Sequence, residues 1–166
     1  MTLACEIHGG RLDRFDFSGA PVGFDGRIRG AGNESTEVAL AKILRHAGLS
    51  GWRRQQHIGW ALPSLSPRLR ASQQRHRFRA TVAPDFVFWQ RRVVLFVDGC
   101  FWHSCPKHGT MPSSNVDFWQ VKFSRNRARD RFVDAVLCHL GWTVLRVWEH
   151  ELERPDRLAR WLVRNV

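Results

Sequence analysis

Four side chains of the types that bind zinc lie around one short segment and could form a single metal site. Cys100 and Cys105 flank a tight loop, His108 follows three residues later, and His150 comes at the end of a later predicted strand. Thiolate and imidazole ligands in a closed set of four favour tetrahedral zinc with a structural role. The alternative is buried cysteines and incidental histidines, since the chain contains eight histidines. We expect the zinc site, because a small loop poor in aliphatic residues gains most of its order from such an ion.

Two aspartates at one end of a predicted β-hairpin could bind a second metal ion. The segments Asp85–Trp89 and Val93–Asp98 are rich in β-branched and aromatic residues, as strands are. If the turn between them is the tight two-residue kind, Asp85 and Asp98 emerge on one face, with Cα atoms at most roughly 7–8 Å apart. Two carboxylates at that separation can share one hard divalent cation. The alternative is that each aspartate only terminates its strand.

The loop between the two cysteines carries a histidine and two large aromatic residues. His103 would be held by the metal-braced loop without being a ligand, which suits a general acid or base. Phe101 and Trp102 do not belong to a clean periodic strand. Exposed rings beside a basic surface would stack on bases or wedge into a duplex. Core packing, the commoner reason for such residues, is the alternative.

A long helix is predicted from about Val116 to Leu140, with Gly141 as its stop. Eleven residues bring an α-helix almost back to the same azimuth, so Trp119 and Asp130 fall on one side of it. Asp130 lies in an arginine-dense stretch. A salt-bridged, solvated helix face is the default interpretation of that stretch.

The remaining pattern places these residues on an α/β framework. An amphipathic helix is predicted after the N-cap candidates at residues 33–36. A buried strand is predicted from Trp142 to Trp148, and Pro155 begins a last helix. Residues 1–33 are expected to form an irregular, glycine-rich arm, and residues 49–80 an extended surface connection. The order of elements implies an α/β sandwich around a mixed sheet.

Length and charge limit the class of protein. At 166 residues the chain is expected to form one domain with an ordinary buried core. Its formal net charge is +11, and most of the basic residues are arginines, which suit bidentate contacts to phosphate. A polyanionic partner is therefore expected. No stretch resembles a signal peptide or a membrane span, so we expect a cytoplasmic, reducing compartment and no membrane partner.

Several motifs together resemble the very short patch repair (Vsr) mismatch endonucleases. The motifs are Ala-Pro-Asp-Phe-Val-Phe at 83–88, Phe-Val-Asp-Gly-Cys-Phe-Trp-His at 96–103, Asp-Phe-Trp at 117–119, Asn-Arg-Ala-Arg-Asp at 126–130, and Gly-Trp-Thr-Val-Leu-Arg-Val-Trp-Glu at 141–149. The similarity covers residues 33–165 and is most specific in Gly-Cys-Phe-Trp-His. It implies a restriction-endonuclease-like fold, a mixed sheet between helices, in a single Vsr-like domain over residues 1–166.

The resemblance also implies a role for each matching position. Asp85 matches the family's metal-binding aspartate, and Val97 matches the residue whose backbone carbonyl helps to bind magnesium. His103 matches the catalytic histidine. Glu37 and Asp130 match the acidic residues that support the site through water or through that histidine.

The aromatic and zinc positions match as well. The residues expected to wedge into the duplex are Phe101, Trp102 and Trp119. The residues expected to bind zinc are Cys100, Cys105, His108 and His150. Magnesium is thus the expected catalytic cofactor and zinc the structural one.

Three features depart from the family pattern. Asp98 stands where the best-known form has a second histidine, so the centre resembles a two-carboxylate site, and we expect Asp98 to act in catalysis and to bind Mg²⁺. His150 stands where that form has a cysteine, an exchange that zinc should tolerate. The arginine-rich segment 63–80 is an insertion relative to shorter relatives.

The function implied is a Mg²⁺-dependent endonuclease that nicks one strand of duplex DNA near a T:G mismatch, in very short patch repair. A monomer is expected, with mismatch-repair proteins as candidate partners. Two alternatives stay open. One is a restriction-like or defence nuclease that reads a sequence or a modified base through the arginine-rich segment. The other is a zinc-stabilised DNA-binding module without hydrolysis, which gives no reason to place Asp85 and Asp98 on one face of a basic protein.

Overall fold

The structure is a computed structural model that describes residues 2–3, 27–28, 34–61 and 79–166. The described residues of the expected N-terminal arm form two short strands, β1 (Thr2–Leu3) and β2 (Arg27–Ile28). The rest of that arm and most of the arginine-rich segment 63–80 lie outside the described residues. One domain over the whole chain therefore stays a prediction.

A mixed sheet forms the centre of the described part of the molecule. Its strands, in order across the sheet after β1, are β8 (Thr143–Trp148), β7 (Val93–Asp98), β6 (Phe86–Phe88) and β3 (Trp52–Arg54). β7 and β8 are parallel, whereas the other neighbours are antiparallel. β7 is apolar until its last residue because both of its faces are covered, as is usual next to a parallel neighbour.

Helices cover both faces of this sheet. α1 (Glu34–His46) and α3 (Pro155–Asn165) share a core with one face, and α2 (Val116–His139) shares a core with the other. The predicted helices and the predicted strand after Gly141 are confirmed, as is a mixed sheet with helices. None of the helices in the described ranges is long and apolar enough to cross a membrane.

The expectation of an extended surface connection over residues 49–80 is wrong where the structure describes it. β3 lies in this region and pairs with β6. β4 (Ile58–Ala61) pairs with β5 (Arg79–Val82), and β5 pairs with β2, so that these three strands form a second sheet. Strands of three or four residues are too short to show an alternating pattern, and they form here because partner strands pair with them.

The predicted hairpin is present, but its connection has four residues, 89–92, and not two. Phe88 pairs with Val93 and Phe86 with Leu95. A connection with an even number of residues preserves the alternation of faces. If this register is continued by one residue beyond Phe86, Asp85 lies on the same face of the sheet as Asp98.

α2 ends in a turn that requires glycine. The amide of Gly141 donates to the carbonyl of Cys138, and the amide of Trp142 donates to the carbonyl of Leu137, both at 2.9 Å. These are the two hydrogen bonds of a Schellman motif. Gly141 has φ of +79°, in the left-handed region that a Cβ atom disfavours.

We expect Gly141→Ala to lower the free energy of unfolding by about 1 kcal/mol, because the left-handed conformation is strained for alanine. An added Cβ would meet nothing nearer than a guanidinium nitrogen of Arg92 at 3.8 Å, so the loss would report backbone strain. Urea unfolding followed by tryptophan fluorescence measures it. Gly59→Ala is the matched control, since its Cβ would make ordinary contacts at 3.6 and 3.8 Å without a positive φ. An equal loss in both variants would contradict the explanation.

Candidate active site and metal centre

Asp85 lies just before β6, and its carboxylate is almost completely buried, at 5% exposure. One oxygen accepts a hydrogen bond from the backbone N–H of Val97 at 2.7 Å, and the other accepts one from the amide of Gln55 at 3.2 Å. Burial raises the pKa of Asp85 to about 6, with the charges of Glu37 and Asp98 adding to the increase and the two hydrogen bonds opposing it. A bound cation would stabilise the charged form of this carboxylate.

The carboxylate of Glu37, on α1, is linked to that of Asp85 by hydrogen bonds from Gln55. The guanidinium of Arg54 donates to Glu37 at 2.6 and 3.1 Å. The amide nitrogen of Gln55 donates to Glu37 at 2.9 Å and to Asp85 at 3.2 Å, so it bridges the two acids. Gln55 has φ of +51°, a conformation that is uncommon for residues other than glycine and often occurs at functional sites. Sequence reasoning missed Gln55, and no periodicity or motif of the kind we used singles it out.

His103 pairs with Asp130 on α2. Its Nδ1 lies 2.7 Å from a carboxylate oxygen of Asp130 and 3.7 Å from one of Asp98. An ionised carboxylate only accepts, so Nδ1 carries the proton and Nε2 is left to exchange a proton with a substrate. Burial opposes protonation of His103, but the hydrogen bond to Asp130 and the two negative charges outweigh it, so the pKa of His103 is raised.

Arg146 of β8 connects the end of β7 to α2. It donates to Asp98 at 2.7 Å and to both oxygens of Asp134 at 2.8 to 3.1 Å. Sequence reasoning missed Arg146 and Asp134. A signal was present, because an arginine inside the apolar strand Thr-Val-Leu-Arg-Val-Trp is buried only if acidic groups neutralise it.

The four expected zinc ligands converge. Their donor atoms all lie within 4.8 Å of one another. Nδ1 of His150, on the 3-10 helix Glu149–Glu153, lies 3.2 Å from the sulfur of Cys100 and 3.7 Å from that of Cys105. Tetrahedral bonds of the usual zinc lengths put sulfur and nitrogen about 3.6 Å apart. The donor types and their spacing therefore fit zinc.

The loop between the cysteines presents an aromatic cluster to solvent. The ring of Phe101 makes edge contacts with Trp102, Trp119 and Phe123, with centroids 5.0 to 5.4 Å apart. Trp102 is 48% exposed, so the core-packing alternative is wrong for this residue. The ammonium group of Lys122 lies 5.1 Å from the centre of its ring. A basic, aromatic surface of this kind suits nucleic-acid bases and phosphates.

All of the expected site residues thus lie in two adjoining groups. The active-site group contains Glu37, Asp85, Val97, Asp98, His103 and Asp130. The metal-loop group contains Phe101, Trp102, Trp119, Cys100, Cys105, His108 and His150. The individual roles of these residues stay predictions.

Comparison with known proteins finds similarity over the central part of the chain. The family model for DNA mismatch endonuclease Vsr matches residues 61–108. Type II nicking enzyme V.NaeI of Lentzea aerocolonigenes is 56% identical over 78 residues, which are 47% of this chain and 46% of that protein. DNA mismatch endonuclease Vsr of Escherichia coli (strain K12) is 41% identical over 77 residues, which are 46% of this chain and 49% of that protein.

A longer alignment decides the family. Type II nicking enzyme V.XorIIP of Xanthomonas oryzae pv. oryzae (strain KACC10331 / KXO85) is 48% identical over 93 residues, which are 55% of this chain and 67% of that protein. This chain belongs to the Vsr family. It spans about half the length of the V.NaeI and Escherichia coli relatives. The matched residues 61–108 include Asp85, His103 and three of the four expected zinc ligands.

We expect His150→Ala to abolish stoichiometric metal content and to lower Tm by about 10 °C or more, because a closed structural site contributes folding free energy directly. Elemental analysis and thermal melting of the purified protein measure both. His57→Ala, at an exposed histidine of the β3–β4 connection, is the control and should change neither. A wild-type protein purified without metal and with the same Tm as His150→Ala would contradict this assignment.

Proposed function

We propose that this chain is a Mg²⁺-dependent DNA endonuclease that nicks one strand of a duplex near a T:G mismatch, the reaction of very short patch repair. The convergence of Asp85, the backbone of Val97 and the His103–Asp130 pair beside exposed aromatic rings carries the proposal. The relatives are named as a mismatch endonuclease and as nicking enzymes, and we carry that chemistry over to this chain.

Asp85 and the backbone carbonyl of Val97 would bind the magnesium ion. Carboxylate and carbonyl oxygens are the ligands that this hard cation prefers. The raised pKa of buried Asp85 supports the assignment, because a cation compensates a charge that burial disfavours. Magnesium, when bound, would activate the attacking water and neutralise charge on the scissile phosphate.

His103 would assist proton transfer through Nε2. The hydrogen bond from Nδ1 to Asp130 fixes the orientation and tautomer of the ring, which a proton-transfer group needs. The hydrogen bond to Asp130 and the neighbouring negative charges raise the pKa of His103, which supports a role in proton transfer.

Phe101, Trp102 and Trp119 would supply mismatch selectivity. Separating a poorly paired step of the duplex costs less free energy than separating a matched one, so aromatic wedges bind preferentially there. Exposure of Trp102 and its cation partner Lys122 support this role. The net charge of +11 supports duplex DNA as the partner, through contacts to phosphate.

The other parts of the proposal follow from the family resemblance. We assign zinc to the four-ligand cluster as a structural ion, and a restriction-endonuclease-like fold to the domain. Monomeric state, cytoplasmic location and cooperation with mismatch-repair proteins belong to the same proposal.

The assay that tests the function compares nicking of matched and T:G-mismatched duplexes, with Mg²⁺ or with EDTA. Mg²⁺-dependent nicking of the mismatched duplex alone is expected. Equal nicking of a matched duplex would favour a restriction-like nuclease that reads sequence. Binding of duplex without nicking would favour a DNA-binding module, although such a module gives no reason to bury Asp85 or to pair His103 with Asp130.

We expect Asp85→Asn to lower the nicking rate by at least about a hundredfold, because it removes a metal ligand and the charge stabilisation that depends on it. Affinity for duplex DNA in EDTA should not change, since no aromatic or phosphate contact is lost. Gel assays of nicking and of binding measure the two effects. Asp156→Asn, at an exposed position in α3, is the control and should nick normally. Undiminished nicking by Asp85→Asn would place the active site elsewhere.

We expect Trp102→Ala to weaken binding of T:G-mismatched duplex by about 5- to 150-fold, since stacking on a base is worth roughly 1–3 kcal/mol. Binding to matched duplex should keep its affinity and its strong salt dependence, because the arginines that contact phosphate are unchanged. Trp89→Ala is the matched control: Trp89 is 43% exposed but lies at the hairpin turn, at the opposite end of β6 from Asp85. An equal loss on matched and mismatched DNA would contradict the wedge.

A further inference from the structure

Asp98 is expected to bind Mg²⁺, but one oxygen of its carboxylate is already engaged by Arg146. The oxygen nearest to Nδ1 of His103, at 3.7 Å, is the one that accepts a hydrogen bond from Arg146 at 2.7 Å. Asp98 is 6% exposed. Metal binding through this oxygen would break a buried, charge-assisted hydrogen bond, which is costly.

Arg146 is held from several sides at once. Its Nε and Nη2 groups donate hydrogen bonds to Asp134 on α2, in a bidentate ion pair. Its Nη1 group donates to Asp98 at the end of β7. Its guanidinium also lies over the ring of Phe96, 4.7 Å from the ring centre. The planar fork of arginine can serve two carboxylates in fixed directions, which a lysine cannot do. The position of Asp98 is therefore set by α2 through Arg146.

The position of Arg146 matters because of what lies next to Asp98. Asp98 and Asp130 face the same nitrogen of His103, and Asp98 also lies close enough to Asp85 to interact with its charge. Without Arg146, Asp98 would be an unpaired buried carboxylate. It would lie between Asp85, where the metal ion would bind, and the imidazole of His103. A buried carboxylate without a partner either takes up a proton or is stabilised by a cation within reach, and a bound metal ion would be such a cation.

We propose that Arg146 is a positioning residue, whose ion pairs with Asp98 and Asp134 keep Asp98 beside His103 and withhold it from the metal. The proposal rests on the proposed endonuclease function and deepens it. The centre then uses a single carboxylate ligand, Asp85, and a second carboxylate whose negative charge lies beside the histidine that Asp130 orients.

Metal binding without DNA tests the first half of the proposal. The probe is Mn²⁺ alone, titrated by calorimetry into the full-length, zinc-loaded protein. Asp85→Asn should weaken Mn²⁺ binding by about tenfold or more, because a ligand is lost. Asp98→Asn should weaken Mn²⁺ binding clearly less than Asp85→Asn does, because it removes a nearby negative charge but no ligand. A loss at Asp98 as large as the loss at Asp85 would overturn the proposal.

Releasing Asp98 tests the second half. The double variant Arg146→Met/Asp134→Asn removes both ion pairs of Arg146 without leaving Asp134 as an unpaired charge. We expect Mn²⁺ to bind about tenfold more tightly, because a second carboxylate becomes available. We also expect kcat for nicking to fall by about tenfold or more while KM stays the same, because the substrate contacts are intact but His103 has lost the negative charge beside its Nδ1. Arg164→Met, at an exposed arginine of α3, is the control and should change neither value.

Arg146→Lys keeps the proposal falsifiable if the double variant does not fold. Lysine keeps the charge but not the fork, so kcat should fall by about threefold or more below wild type at unchanged KM, with a Tm close to that of wild type. Wild-type kcat in whichever of these two variants folds would overturn the proposal. So would a kcat that falls only in proportion to the folded fraction. If the wild-type protein nicks no duplex, the proposed function fails, and the Mn²⁺ titrations still decide the role of Arg146.

Discussion

Burying a carboxylate in a protein interior is costly unless the charged group has a partner, and this cost shapes one corner of the molecule. The buried acidic side chains in the described ranges are Glu37, Asp85, Asp98 and Asp134. Arg54 neutralises Glu37, and Arg146 neutralises both Asp98 and Asp134. β3 is thus tied to α1, and β8 to α2, by charge as well as by apolar packing. The positions of these buried acidic side chains are consequently fixed by the helices and strands of the framework.

Asp85 is the exception to this pairing, and the exception explains where a metal ion would bind. Among the described residues its hydrogen-bond partners are neutral groups, the amide of Val97 and the side chain of Gln55. Its pKa is raised to about 6, mainly by burial, whereas the pKa of Asp130 is lowered because His103 and nearby arginines outweigh the effect of burial. A divalent cation would supply the positive charge that none of the described residues donates to Asp85 through a hydrogen bond. The same reasoning disfavours Asp98 as a ligand, since Arg146 already neutralises it.

The sequence was sufficient for the parts of the structure that have long or distinctive patterns. β7 and β8 are apolar enough to be predicted, and α2 is long and ends at a glycine. The four candidate metal ligands have distinctive types and spacing. β3 and β4 were missed because strands of three or four residues have no readable period, and they exist through pairing with distant segments. Gln55 was missed for the same reason, since its bridging role depends on tertiary contacts. Arg146 could have been suspected from a charge within an apolar strand, but its partners could not be identified without the fold.

The short loop after β7 carries both the aromatic rings and the histidine, and this arrangement has a mechanical consequence. Trp102 and His103 are adjacent, so a displacement of one moves the other. The loop is fixed at several points: the sulfur atoms of Cys100 and Cys105 lie beside His150, and the side chain of Asn126 on α2 donates to the carbonyl of Trp102 at 3.0 Å. A ring inserted at a mismatch would therefore fix the distance between the distorted step and His103. On the proposed function, mismatch recognition and cleavage depend on the same rigid loop. If this loop were weakly anchored, the distance between the mismatch and the nicked bond would vary before DNA binding was lost.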